Sequence, residues 1–387
     1  MLKFSYYLCL ASLALGQFSL FFKSDNTNLY LFDVLVMVFA FIGLISFLLA
    51  KRCEVPSVYY AFILFTFIAF ISLFLALFKF NVNEVSVGAF YLFRFFSYLL
   101  SGIVIFNMLK NNLISREEVF KSIIISGLFL SIAGIIQLIV LPDFETLDPL
   151  LGWDPHKNRL ASTFFDPNFT GAYLVICLSL LLDKMFLNRK ISLFESLSFL
   201  LLTVALLLTF SRSAWAMMAV VIFIYGVFKS KALLFVAILI AFLAYFAVPR
   251  VQTRISGATD PADSASFRLV SWRNALTIAQ DNLLIGVGFN TYRYAQRDYG
   301  YLDIENPQSH SGSGADSSLL FVLATTGVFG LAVYLFALLN PLLINQRNYL
   351  YMALTSGLLV DSLFINSLFY PQIMFLYFMI TSFSFRK

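Results

Sequence analysis

Apolar runs long enough to span a bilayer recur along this chain, separated by short polar breaks. A helix crosses a hydrocarbon core of about 30 Å with about 20 residues, and lipid offers an open backbone no hydrogen-bond partners. Runs near residues 4–22, 29–50, 56–78, 87–108, 119–140, 170–187, 192–210, 213–228, 232–248, 317–339, 348–365 and 370–385 each read as a transmembrane helix. A membrane barrel would instead alternate apolar and polar residues in segments of about ten, and no such alternation occurs. The expected fold is an all-α polytopic membrane protein with about 12 transmembrane helices. Only 12% of the 387 residues are charged, half the ~25% of a soluble domain.

The cations decide orientation. Lys51 and Arg52, then Lys110, Arg116 and Lys121, then Lys184, Arg189 and Lys190, then Lys229 and Lys231, then Arg347, and finally Arg386 and Lys387 fall on one set of short loops. The opposite short loops hold Lys23, Lys79 and Arg212. The positive-inside rule then puts both termini in the cytoplasm, which an even number of spans requires. The net charge of +5 is explained by these helix-end cations, so nucleic acid is not an expected partner. Cys9, Cys53 and Cys177 lie in or beside apolar runs and read as packing residues, with neither a disulfide framework nor a zinc site. Lys3 precedes an apolar run with no small-residue cleavage site, so the N-terminus reads as the first span.

Three regions follow. Residues 1–248 hold nine spans with an outward loop near 141–169, residues 249–316 form a large extracytoplasmic loop with short amphipathic helices, and residues 317–387 hold the last three spans. No inverted internal repeat of the transporter type is visible. The large loop carries Arg250, Arg254, Arg268, Arg273, Arg293 and Arg297, with His310 and Asp316. Aromatic residues in the outward loops, among them Trp153, Phe164, Phe165, Trp272, Tyr292 and Tyr294, suit either a membrane interface or a sugar face.

Four constellations can carry chemistry. Asn158 to Gly171 contains Arg159 and the turn Asp166-Pro167-Asn168, in which Asn168 is placed to cap the next helix. Thr209 to Trp215 wedges Arg212 between two spans, where an arginine is costly unless it snorkels or meets an anion. Ser266 to Leu276 puts Arg268, Trp272 and Ala275 on one helical face, with Gly286-Val287-Gly288 after it; Arg273 fits a simple membrane anchor better than Arg268 does. Asp316-Ser317-Ser318 opens the tenth span, ahead of Gly327-Val328-Phe329-Gly330. Taken alone, Asp316 reads as a helix cap. Beside outward arginines, whose forks suit a pyrophosphate, it reads as a base for a sugar hydroxyl. Within the membrane, Arg94 and Asp361 pair with each other or line a substrate path. No Walker loop, zinc motif, dinucleotide fingerprint or nucleophile elbow is present, and the lone Gly-x-Gly is too weak to count as one.

The Arg159 to Gly171 patch, Ser211-Arg212 between spans, and Arg-x-x-x-Trp-x-x-Ala followed by Gly-x-Gly resemble, in that order along the chain, the O-antigen polymerase and O-antigen ligase superfamily. The resemblance covers about residues 158–330. It implies an inverting, metal-independent glycosyltransferase without cofactors, in a bacterial inner membrane. Its partners would be an undecaprenyl-pyrophosphate-linked glycan donor and acceptor, membrane lipids, and a chain-length regulator and flippase. Arg212 and Arg268 match the superfamily's motif arginines, with Arg159 as a further one; Asn168, Arg273, Trp272, His310 and Arg94 complete the expected substrate contacts. Where ligases carry His-Asn, this chain has Asp316-Ser317, which resembles the polymerase branch. His310, six residues earlier, keeps a ligase open as the alternative. A membrane transporter using Arg94 and Asp361, and a non-catalytic assembly partner, are the rivals from other classes.

Overall fold

The computed structural model describes residues 1–23, 27–147, 156–187, 191–257, 264–302 and 314–385. His310, Trp153, Arg189, Lys190, Arg386 and Lys387 lie outside the described residues. The described chain is almost entirely helical. Each of the twelve apolar stretches holds a helix: α1 Leu2–Leu15, α2 Leu31–Leu49, α3 Tyr60–Leu75, α4 Val82–Lys110, α5 Arg116–Val140, α6 Pro167–Leu187, α7 Leu193–Leu208, α8 Arg212–Phe228, α9 Lys231–Ala247 and, after the large loop, α13 Ser318–Ile344, α14 Tyr349–Asp361 and α15 Pro371–Phe385. The loop contributes α10 Pro249–Ser256, α11 Ser264–Asp281 and α12 Tyr292–Asp298.

Among the described residues, six of these helices are long and apolar enough to cross a membrane, or seven if α9 and α10 form one bent span. α7, α8 and α15 are apolar but shorter. The first run overreaches its helix: Gly16 closes α1, and Leu20–Lys23 pairs as β1 with β2, Asn28–Tyr30, in a small antiparallel hairpin. The eleventh run stops short as well, because α14 ends at Asp361 and a turn and one 3-10 segment, Ser367–Phe369, lead to α15.

The loops gather at the two ends of the bundle. At one end Lys184 bridges Glu117 and Glu195 at 2.9 and 2.8 Å, Lys110 meets Glu54, and Lys229 lies over the Tyr349 ring. These are the cation-rich loops of the sequence. At the other end sit the segments around residues 16, 80, 160, 210 and 365, together with α10 to α12. Between the ends, the packing is aromatic. Phe65, Phe95, Phe289, Tyr334 and Phe369 form one contiguous set of edge, tilted and stacked ring contacts joining α3, α4, α13 and the segment before α15.

α13 is broken within the bundle. Gly327 has φ 68° and ψ −170°, which ends one helical stretch and starts another. The Gly-x-Gly segment fills the gap: Val287 N and Gly288 N donate to the carbonyls of Ala324 and Thr325, each at 3.0 Å, and Val328 N donates to Leu283 O at 2.8 Å. The Ser72 hydroxyl of α3 lies 2.6 Å from Thr325 O and 2.8 Å from Ile285 O. Carbonyls released by the break are thus satisfied by protein, which irregular backbone at membrane depth requires. A Cβ at Gly286 would lie 2.3 Å from the Thr325 carbonyl carbon, so this approach needs a glycine.

Arg94 does not pair with Asp361. Its Nε meets Asp33 Oδ1 at 2.8 Å, with Asp33 fully buried and the Arg94 side chain 7% exposed. Tyr98 donates to the same oxygen at 2.6 Å and Tyr30 N to the other at 3.0 Å. The sequence reading did not single out Asp33, which sits in the first turn of α2 like an ordinary helix-start acid. Removing one member of a buried, hydrogen-bonded pair costs about 3–5 kcal/mol, because the other charge is left uncompensated. Arg94→Leu is therefore expected to lower thermal stability of the purified protein sharply. Arg94→Leu combined with Asp33→Leu is expected to recover most of the loss, as read by aggregation on heating.

Candidate active site

The first cluster is built by a turn. Pro167 occupies the first position of α6, where its missing N–H costs nothing. The cap is Asp166, whose Oδ1 accepts from the N–H groups of Asn168 and Phe169 at 2.7 and 3.3 Å. Asn168 is therefore not the cap that the sequence suggested. Its Oδ1 instead accepts from Arg159 Nη2 at 3.0 Å and from the Ser211 hydroxyl at 2.9 Å. Arg159 Nε also donates to Thr209 O at 2.9 Å. The outward loop and the turn between α7 and α8 are thus joined through one guanidinium.

Ser211 caps α8 and lies 3.2 Å from the Ser213 hydroxyl. Arg212, the first residue of that helix, is half-buried, with Nη1 directed at the carbonyl of Arg254 at 3.3 Å. Arg254 returns a bond from Nε to Phe210 O at 3.3 Å, and Arg250 lies over the Phe210 ring at 4.3 Å while donating to Lys157 O. Both come from α10, which Pro249 turns by 98° relative to α9 and lays back over the bundle. Sequence reasoning counted Arg250 and Arg254 in the loop without giving them a role. The bend that brings them to Arg212 is signalled only by Val248-Pro249, since the residue before a proline resists helix.

The third cluster surrounds the start of α13. Trp272 Nε1 donates to Asp316 O at 3.0 Å, and Asp316 N donates to the Ser271 hydroxyl at 3.1 Å. Ala275, on the same face of α11, is fully buried, whereas Arg273 is exposed. The face predicted from Arg268, Trp272 and Ala275 is the one that α11 turns inward. Asp316 is not the helix cap: Ser317 accepts from Leu320 N at 3.4 Å and donates to Ser362 O at 3.0 Å. The Asp316 carboxylate is half-buried one residue outside the helix.

Asp361 ties these clusters together. It is fully buried at the end of α14, and neither carboxylate oxygen has a hydrogen-bond partner. The hydroxyls of Ser213 and Ser367 lie beside it without meeting hydrogen-bond geometry, and the charges of Arg268 and Asp166 act on it. A buried carboxylate short of donors is costly and marks a functional place more often than a structural one. A hydrogen-bonded network thus runs from Arg159 through Asn168 and Ser211 to Ser213, which lies beside Asp361, and the charge of Arg268 acts on that carboxylate. The N-termini of α6, α8 and α13 open onto the same region, and their dipoles add to the positive potential of the arginines. The arrangement suits an anion with several oxygens.

Residues 197–335 match the family model described as O-antigen ligase. Over those residues the chain is similar to the O-antigen ligase and polymerase superfamily. Among curated proteins, none matches the chain in sequence. The matched stretch takes in Arg212, Arg268, Trp272, Asp316 and the Gly286 to Gly330 break, while Arg159, Asn168 and Asp361 are packed against it from outside the matched residues. The matched family is one of glycan-transferring membrane enzymes. Of the aromatic candidates, Phe164, Tyr292 and Tyr294 are buried and Trp272 is half-buried, tilted against Phe364 with ring centroids 5.9 Å apart. The Arg94 guanidinium lies in its own ion pair with Asp33.

Proposed function

We propose that this protein is an inverting glycosyltransferase that polymerises undecaprenyl-pyrophosphate-linked oligosaccharide repeat units at the outer face of a bacterial inner membrane. The observation that carries this reading is the convergence of Arg159, Arg212 and Arg268 with Asp316 and Asp361 at one end of the bundle, in a chain similar to the superfamily over residues 197–335. With the expected twelve spans and both termini in the cytoplasm, the positive-inside rule would turn that end outward.

In this mechanism an acceptor hydroxyl attacks the anomeric carbon of the donor glycan, and the bond from that carbon to the pyrophosphate oxygen breaks with inversion. Asp316 takes the hydroxyl proton. The negative charge that grows on the leaving pyrophosphate is met by Arg212 and Arg268, aided by Arg159, whose planar forks match paired phosphate oxygens. Asp361 keeps Arg268 in place. The growing chain passes from its own carrier to the next lipid-linked unit, and a chain-length regulator and a flippase would act beside it.

The description of the matched family as a ligase favours one second reading, transfer of the finished glycan to lipid A core. Glycan gels separate the two. In a strain lacking the gene, wild type should restore a ladder of chain lengths, and Asp316→Ala should leave a single repeat unit attached to core. Lipid-linked long chains that accumulate unattached in the deletion strain would instead show a ligase. A ladder from Asp316→Ala equal to that of wild type would remove Asp316 from the mechanism.

A further inference from the structure

Beside the Asp316 end of α13 lies an open cleft of about 750 Å³, counting its mouth. Its walls are mixed: Tyr91 and Phe289 supply ring surface, Arg293 and Asn366 supply polar groups, and Tyr294 and Gly314 complete the rim, with Gly314 two residues before Asp316. Two of these side chains are short of hydrogen bonds. Tyr294 OH and Asn366 Oδ1 have no protein partner and are sealed from water. Behind them the hydroxyl of Tyr292, also buried and unpartnered, lies within reach of the Asp316 charge.

Polar groups stranded in this way cost free energy, and an isoprenoid or acyl chain in the cleft would leave them stranded. A pyranose answers both features of the wall. Its C–H face lies on aromatic rings, and its hydroxyls donate to an amide oxygen and exchange hydrogen bonds with a phenol. We infer that this cleft is the acceptor-sugar subsite, which holds the terminal saccharide of the incoming unit so that one hydroxyl faces Asp316. The inference rests on the proposed glycosyl transfer and adds to it the place and the residues that read the acceptor. Inversion needs the acceptor hydroxyl to reach the anomeric carbon from the face opposite the departing pyrophosphate, with Asp316 beside that hydroxyl to take its proton.

The test uses the whole chain in lipid nanodiscs and, as probe, the oligosaccharide released by mild acid from the host's own surface glycan, which carries no pyrophosphate. Saturation-transfer NMR should show binding by wild type. Tyr294→Phe and Asn366→Ala should each weaken it about tenfold, the worth of one buried hydrogen bond, and Lys121→Ala, exposed at the opposite end of the bundle, should leave it unchanged. Tyr294→Phe keeps the ring, so lost binding there is not lost folding. No binding by wild type, or wild-type binding by both cleft variants, overturns the subsite while leaving the polymerase reading to the glycan gels. Binding that follows these variants in a protein that makes no glycan ladder would uphold the subsite and overturn the polymerase reading instead.

Discussion

Arg212→Ala and Arg268→Ala are each expected to slow glycan transfer by about 10²–10³-fold, the usual effect of removing one group aimed at charge that develops in a transition state. The size follows from the leaving group. Pyrophosphate departs with its charge growing on oxygen, and a site walled by apolar helices screens that charge poorly. Arg212→Lys should recover only part of the rate, because an ammonium keeps the charge but loses the fork. Arg268 carries a second consequence. Without it, Asp361 stays buried, loses the opposite charge of Arg268 and keeps the repulsion of Asp166. Arg268→Ala should therefore also reduce stability, and Arg268→Ala with Asp361→Asn should restore the stability but not the rate. Rates would be read as turnover of purified protein on lipid-linked repeat units, stability as retention of a monodisperse peak on heating. An Arg268→Ala protein with full turnover would mean that the arginine does not touch the donor.

The second large effect is on folding. Gly327→Ala should abolish accumulation of folded protein. The new Cβ would lie 2.2 Å from Leu284 O, a backbone atom that cannot move without breaking the bonds from Val287 N to Ala324 O and from Val328 N to Leu283 O. That overlap adds to the ~1–3 kcal/mol that a left-handed backbone costs a non-glycine residue. Gly300→Ala is the control. Gly300 also has positive φ, 70°, but nothing lies within 4 Å of a Cβ there, so only the backbone cost applies and the protein should stay folded. Fluorescence-detected chromatography of the two variants separates crowding from backbone strain.

Much of this was legible in the sequence. A helix stands in each of the twelve apolar runs, of which six, or seven with the bent pair, are long and apolar enough to cross a membrane among the described residues, and the inward face of α11 shows because Arg268, Trp272 and Ala275 follow the helical period. Contacts fixed only by packing were not legible. Asp361 stood out as a charge in an apolar run, but nothing in the run shows that its neighbours are Ser213 and Arg268 while Arg94 goes to Asp33. Asn168 looked like a cap because its type suits one; Asp166 holds that place, and the Asn168 amide serves Arg159 instead. The Gly-x-Gly pair was too short to carry chemistry by itself. Its work is structural, and that shows only once Gly286 is seen against the break at Gly327, far along the chain.

The central claim is tested most directly by incubating the purified protein in nanodiscs with radiolabelled undecaprenyl-pyrophosphate repeat unit alone, and resolving the products by chain length. The account predicts glycans of two, three and more repeat units, each still on one lipid pyrophosphate, with one free carrier pyrophosphate released for every new bond, and none of these from the Arg212→Ala protein. A label that stays in single units until lipid A core is added, and then moves to the core, would contradict it.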